Sequence, residues 1–414
     1  MPDASPLKYV IVIPDGAADF PLAALGGRTP FEAAETPNLD RLAEAGRQGT
    51  VATTPDGMPC GSDVCSMSLL GYDPRRYHKG RAPLEAAALG LDLDPSDWVF
   101  RVNLVTVIDG KMQDHSAGHI SSGESRRLLE EFAPRLPLPG VTLVPGVSYR
   151  NLMIDASGQR DWDELETTPP HDVPGEPIRK HLPRGGAHAK LLHQLIAESE
   201  VFLADHEINQ TRREMGEAPA THFWPWGQGR RPVVPPFAEK YGHRDGFAGR
   251  GAMITAVDLL AGIAAFIGWD RLDVPGQTSY HDTDYAAAGT HAIAALDDYD
   301  VVCVHVESPD EAGHAADAKT KADAVAAIDR HVVGPLHDAL EARGGPWRML
   351  VLPDHYTLVG TRKHDPTPVP FLMAGHRVHA VRRRPFSEAN AADSDLHIAH
   401  GHELMEFFLR SGLA

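Results

Sequence analysis

Cysteine is scarce in this chain of 414 residues, which holds three, Cys60, Cys65 and Cys303. An odd, small set without a Cys-x-x-Cys spacing excludes a disulfide framework and argues against a thiolate zinc site. Positive charge is also in short supply. Lys and Arg total 39 against 57 Asp and Glu, for a formal net charge of −18. That balance excludes a general nucleic-acid binder but not an anionic substrate, because local Arg clusters decide that. Long apolar runs are missing too. The most apolar stretch, Ala252 to Trp269, contains Asp258 and reads as a buried helix, whereas a membrane span needs ~20 nearly uncharged apolar residues. The opening segment, Met-Pro-Asp-Ala-Ser-Pro-Leu-Lys, has neither the basic nor the apolar region of a secretory signal. A soluble cytoplasmic protein is therefore expected. There is no Gly-x-x-x-x-Gly-Lys-Ser/Thr loop, so a P-loop kinase is not expected either.

What is present is ordinary in bulk and unusual in one residue. Hydrophobic residues make up 42% and charged residues 23%, values of a globular protein with chain enough for two or three domains. Histidine stands out: 23 residues, more than Phe (13) or Met (10), and many lie beside Asp. That composition invites a metal hypothesis.

Several short apolar runs end abruptly in acidic or histidine residues. Tyr9 to Ile13 leads to Asp15, and Val301 to Val306 leads to Asp310 and His314. Met349 to Leu352 leads to Asp354-His355, and Val369 to Met373 follows His364. Such runs read as strands buried on both faces of a mainly parallel sheet covered by helices. Ligands then bind beyond the carboxyl ends of the strands, where these Asp and His residues fall. Helices are expected after Thr36-Pro37, ending at Gly46, and from Lys319 to Ala342. The middle of the chain has strands of its own, Val99 to Val107, Val141 to Val144 and Asn151 to Ile154, and proline-rich turns. The expected organisation is a discontinuous metal-binding core, residues 1–74 and 236–414, interrupted by a smaller inserted α+β domain, residues 75–235, that binds substrate.

A single Asp or His after a strand is ordinarily a cap or a hydrogen-bonded structural residue. Asp15, Asp310, His314, Asp354, His355 and His364 at the ends of separate strands are better explained together, as nitrogen and oxygen ligands for two divalent ions. Ser62 follows Gly61, with Val64, Met67 and Leu70 at helical spacing behind it. It sits at a helix N-terminus, where it is either a simple cap or, beside divalent ions, an activated nucleophile.

With these residues in view, the chain resembles the archaeal-type, cofactor-independent phosphoglycerate mutases of the alkaline phosphatase superfamily, and the related proteins proposed to be homoserine kinases. The likeness is carried by Pro14-Asp15-Gly16, Thr36-Pro37-Asn38-Leu39-Asp40, Gly61-Ser62-Asp63, Leu70-Gly71-Tyr72-Asp73-Pro74, Ser116-Ala117-Gly118-His119 and Ser148-Tyr149-Arg150-Asn151-Leu152. Trp226-Gly227-Gln228-Gly229, Pro309-Asp310-Glu311-Ala312-Gly313-His314 and Pro353-Asp354-His355 complete the order. The resemblance implies an alkaline-phosphatase-like three-layer core. It also implies one ion on Asp310, His314 and His364, and another on Asp15, Asp354, His355 and the Ser62 oxygen. Manganese suits that mixed set, with zinc and magnesium close alternatives.

The implied reaction interconverts 3- and 2-phosphoglycerate through a phosphoserine, without 2,3-bisphosphoglycerate. His119, Arg150 and Arg212 would contact the substrate's phosphate and carboxylate, a task suited to forked guanidinium groups. One departure bears on the chemistry. Where the family has a Gly-Lys-Ala segment, this chain has Ala288-Gly289-Thr290-His291. Phosphoryl transfer to another small acceptor such as homoserine, a metal-dependent phosphatase, and a non-catalytic binding protein are the competing readings.

Overall fold

In the computed structural model, residues 6–242 and 247–412 are described. The chain forms two compact units, Met1–His78 with Val234–Ala414, and Lys79–Val233. The point of return lies within the proline-rich stretch after Arg231.

The discontinuous unit is built on an eight-stranded sheet. Its centre is Lys8–Pro14, flanked in parallel by Val301–Val306 and Trp347–Val351, with Gly251–Ile254 beyond Val301–Val306. These runs are almost wholly buried, which is why their sequences are continuous rather than alternating. Val369–Gly375 pairs antiparallel with both Trp347–Val351 and Arg47–Val51, and is the one strand of this sheet that runs backwards. That reversal has a consequence for function. The amino end of Val369–Gly375 lies at the same sheet edge as the carboxyl ends of its neighbours, so His364, which precedes its strand, joins residues that follow theirs.

Two expected helices differ in part. Ala252 to Trp269 is a strand, Gly251–Ile254, followed by a helix, Asp258–Phe266, with Asp258 opening the helix. Lys319 to Ala342 is helical as expected, but Ala318–Ile328 passes into Gly334–Arg343 through a π-helical stretch, Asp329–Val333. That stretch gives Asp329 a partner. Its carboxylate accepts the backbone N–H groups of Asn38 (3.3 Å) and Leu39 (2.7 Å). It thereby caps the helix Pro37–Ala45, for which Thr36 makes no side-chain cap.

The inserted unit is a five-stranded antiparallel sheet with the long strand Trp98–Ile108 at its heart. Arg150–Asp155 and His222–Arg230 pair with it on either side. Helices Ser122–Phe132 and Ala189–Ala204 pack on a core that includes Phe100, Phe132, Trp162 and Phe223. Among the described residues no helix is long and apolar enough to cross a membrane.

Candidate metal centre and nucleophile

Asp15 ends the first strand and is fully buried, as are Asp354 and His355. The turn after Asp15 depends on Gly16, whose φ is +58°. A Cβ there would collide with Thr357 Oγ1 and with Asp310, so the strand end and the Asp310 helix approach as closely as they do only around glycine. Asp310 and His314 lie one helical turn apart on Ser308–His314, which puts both side chains on one face. His355 and His364 are carried by the two arms of a short hairpin, Tyr356–Leu358 and Lys363–Asp365.

These residues gather as two groups, Asp310 with His314 and His364, and Asp15 with Asp354 and His355, each with ligand atoms within 4.8 Å of one another. The histidine tautomers are set by their outer partners. His314 Nδ1 faces the Arg362 carbonyl at 3.0 Å and His364 Nδ1 faces the Cys60 carbonyl at 3.2 Å. Carbonyls only accept, so each Nδ1 carries the proton and each Nε2 is left as a donor for a cation. His355 follows the same logic. Thr357 gives its hydroxyl proton to Asp310, and its oxygen faces His355 Nδ1 at 3.2 Å.

The atoms so exposed converge. The Nε2 atoms of His314 and His364 are 2.9 Å apart. Asp310 offers Oδ2 to His314 at 3.2 Å and Oδ1 to His364 at 3.4 Å. His355 Nε2 lies 3.6 Å from Asp15 Oδ1 and 3.3 Å from Asp354 Oδ2. Both of these carboxylate oxygens are buried without a hydrogen-bond partner. The other Asp354 oxygen accepts N–H groups from Gly16 (3.1 Å) and His355 (2.9 Å). Burial, and then the Asp354 and Asp310 carboxylates, push the Asp15 carboxyl well above its ordinary range. Burial opposes ionisation of Asp310 as well, but without a metal His314 and His364 carry a second proton on Nε2, in the place a cation would take, and donate it to Asp310, holding its carboxyl well below the ordinary range. Two orphaned oxygens among buried like charges fit a divalent cation and little else.

Ser62 is the first residue of the helix Ser62–Leu69, with Gly61 as the cap. It is not a capping serine. Its Oγ is free of the backbone and lies 3.2 Å from His355 Nε2, at a helix end that favours anions.

Sequence reasoning missed the residues behind this site. His305, in the middle of an apolar strand, is fully buried and its Nε2 lies 2.7 Å from Asp15 Oδ2. Thr255 meets its other nitrogen at 3.0 Å. A histidine inside an otherwise aliphatic run was the available signal. With Glu307 and Asp15 it makes a third cluster of ligand-type atoms. Lys321 is entirely buried and donates to the Ala18 and Thr357 carbonyls, with Asp19 at 3.4 Å. It therefore ties the loop after Asp15 to the hairpin carrying His355. Helical spacing alone could not have singled it out. The stretch without the family's Lys lies in the helix Tyr285–Ala295, where Gly289 makes room for the His331 carbonyl and Thr290 and His291 are exposed.

In the inserted unit, His119 and Arg150 are both exposed and lie around the Tyr149 ring, at 6.1 Å and 5.1 Å from its centre. Ala117, Gly118 and His119 all have positive φ. Asp114 holds this strained loop by accepting the Ser116 and Gly118 N–H groups. Arg212 takes a different part from the one expected. It is 3% exposed. Its guanidinium donates to the Ala117 and Ala218 carbonyls and pairs with Glu124 and Glu217. With its fork engaged by the chain, Arg212 ties the His119 loop to the Ala218 and Glu217 segment. Sequence reasoning also missed Arg101, a strand residue stacked 4.1 Å over the Trp226 ring. Burial, and then the nearby Arg81 and Arg150, lower it to about 10, although Glu85 at 3.0 Å opposes this. Arg81, Arg101 and Arg150 thus lie within electrostatic reach of one another, with Glu85 among them.

Residues 43–209 match the family model of 2,3-bisphosphoglycerate-independent phosphoglycerate mutase. A Methanothermobacter thermautotrophicus protein of that name (number 2 in that organism) is 44% identical over 97% of both chains. One from Methanothrix thermoacetophila is 43% identical over 97% of this chain and all of its own length. A solved Pyrococcus horikoshii protein aligns with TM-score 0.80 at 28% identity, covering 98% of this chain and 97% of its own. A cofactor-independent phosphoglycerate mutase from Thermoplasma acidophilum aligns with TM-score 0.67 at 26% identity, over 98% and 99% of the two chains. Likeness of this degree along the whole length settles the family, and the chain belongs to the 2,3-bisphosphoglycerate-independent phosphoglycerate mutases.

Proposed function

We propose that the protein interconverts 3-phosphoglycerate and 2-phosphoglycerate without 2,3-bisphosphoglycerate, through a phosphoserine at Ser62. The observation that carries this reading is the placement of the Ser62 hydroxyl 3.2 Å from His355 Nε2, beside two convergent groups of Asp and His atoms. In this reading Ser62 Oγ bonds to phosphorus as the bond from phosphorus to the C3 oxygen breaks. The glycerate turns, and its C2 hydroxyl takes the phosphoryl group back. Two divalent ions, manganese by the hardness of the donor set, would be held by Asp310, His314 and His364 and by Asp15, Asp354, His355 and Ser62. Bound there, they would neutralise phosphoryl oxygens and ease loss of the serine proton.

His119 and Arg150 are the proposed contacts for the substrate's anionic groups, supported by their exposure and by the positive charge around them. The absence of a Lys in Ala288-Gly289-Thr290-His291 does not weigh against the reading, since those positions lie on a packed or exposed helix face. Phosphorus NMR of the purified protein with manganese and 3-phosphoglycerate tests it. A 2-phosphoglycerate signal growing to equilibrium, with no 2,3-bisphosphoglycerate added, is the expected result. Release of inorganic phosphate alone would make the protein a phosphatase. Phosphorylation of homoserine from ATP, with phosphoglycerate untouched, would make it a phosphotransferase on another acceptor.

A further inference from the structure

Neither Cys60 nor Cys65 has a part in the chemistry above, yet they bracket its nucleophile. Gly61 caps the helix Ser62–Leu69. Cys60 is therefore the residue before the cap and Cys65 the fourth residue of the helix. These are the two positions whose side chains meet in a hydrophobic staple, the contact that fixes the angle at which a chain enters a helix. Here both staple positions are thiols. Thr54 Oγ1 holds the Cys65 sulfur at 3.2 Å. Access is unequal: Cys60 is partly exposed and Cys65 is buried. The third thiol, Cys303, is buried in a central strand of the sheet, opposite Ile11 and Met253.

We infer that Cys60 and Cys65 form a dithiol modification site, at which a hydroperoxide converts the staple across Ser62 into a disulfide. A partly exposed thiol beside a buried second thiol is the arrangement in which oxidation stops at a disulfide rather than proceeding to sulfinic acid. The steps balance without another reactant. The Cys60 sulfur attacks one peroxide oxygen, the O–O bond breaks, and the departing hydroxide takes the thiol proton to leave as water. Cys60 is then a sulfenic acid. The Cys65 sulfur attacks the Cys60 sulfur, the S–O bond breaks, and the Cys65 proton leaves with the hydroxide as a second water. Two thiols have lost two electrons and the peroxide has gained them.

The crosslink would reach two parts of the site. It would clamp the turn that carries Ser62, and it would shift the Cys60 carbonyl that faces His364 Nδ1 at 3.2 Å. Displacements of about 1 Å at a reacting group cost on the order of 10²-fold in rate, and a loss of that order is expected. This effect on turnover rests on the reaction proposed above. The crosslink itself does not.

The full chain is treated with hydrogen peroxide, denatured, alkylated, and digested with trypsin. Residues 48–75 form one tryptic peptide containing both thiols. The expected product is that peptide, unalkylated and lighter by two hydrogens, with Cys303 fully alkylated and dithiothreitol restoring both thiols. Cys65→Ser should instead leave Cys60 as a sulfenic acid that dimedone traps, and Cys60→Ser should protect Cys65 from oxidation. Thermal melting of both variants reports whether each is folded, and the wild-type mapping stands without them. Two alkylated thiols after peroxide, Cys60 carried to sulfinic acid with Cys65 free, or a crosslink that engages Cys303 would each overturn the inference.

Discussion

Ser62 Oγ and His355 Nε2 lie 3.2 Å apart, and that His355 nitrogen is also the one turned toward the unpartnered oxygens of Asp15 and Asp354. The proposed nucleophile and one candidate ligand group thus meet at the same His355 nitrogen. In the proposed reaction a cation held by the buried carboxylates would acidify this hydroxyl, with His355 Nε2 at hydrogen-bond distance to take its proton when no cation occupies that nitrogen.

Ser62→Ala should abolish turnover by several orders of magnitude while leaving the fold intact. The hydroxyl makes no helix cap, so the thermal midpoint should move by less than the loss of a cap, which costs about 1 kcal/mol. Wild-type protein quenched during turnover should carry phosphate on peptide 48–75, and the variant none. Phosphate recovered on a histidine, or a variant keeping about a tenth of the activity, would exclude the phosphoserine.

Removing divalent metal should lower stability as well as activity. Asp15 is buried and repelled by Asp354 and Asp310, and the ion that relieves this binds the folded chain alone. At a hundredfold excess over its dissociation constant such an ion adds about 2.7 kcal/mol. Melting curves in EDTA, then with manganese restored, should show a reversible rise in midpoint. Asp15→Asn should melt no lower than wild type without metal and gain less when manganese is added. Superimposable wild-type curves would contradict this.

The clustering of the candidate ligands was legible in sequence because each ends or precedes a strongly apolar strand, and strand ends are where a parallel sheet presents side chains. His364 was legible for the same reason, though only the reversed direction of Val369–Gly375 explains why it precedes its strand. The supports were less legible: His305 stood out only as a histidine in an aliphatic strand, and its partner was not readable. His305, Lys321 and Asp329 act on partners far away in sequence, and local patterns carry no record of such pairs. Arg212 was placed by the resemblance as a substrate contact, and no local pattern could show that its donors reach the Ala117 and Ala218 carbonyls.

Arg212→Ala should therefore act on structure first. It removes the donors that hold the Ala117 and Ala218 carbonyls, while Glu124 and Glu217 are exposed enough to rehydrate. A destabilisation of roughly 2 kcal/mol is expected in urea denaturation. The His119 loop should loosen, so KM for phosphoglycerate should rise with manganese affinity unchanged. Arg150→Ala should raise KM too, but with no comparable loss of stability. Equal stability losses in the two variants would show that Arg212 is no more a brace than Arg150.

Glu388 should set a pH dependence of stability that owes nothing to the metal centre. It begins the helix Glu388–Ala392, buried against Thr29, whose hydroxyl donates to it at 2.5 Å, and the Asp19 N–H at 3.4 Å. Glu32, Asp19, Tyr356 and the buried Lys321 are the other titratable groups facing it. Burial pushes its carboxyl up to about 7 despite those hydrogen bonds. An unfolded Glu titrates near about 4.3. Between these values the folded chain holds a proton that the unfolded chain has released, so stability falls as pH rises and levels off above about 7. A fully expressed shift of this size is worth up to roughly 4 kcal/mol. Glu388→Gln mimics the protonated form at every pH. Its melting midpoint should match wild type near about pH 4 and exceed it near about pH 8, with the gap opening between. Parallel curves across that range would mean that Glu388 ionises in the folded protein as easily as in water.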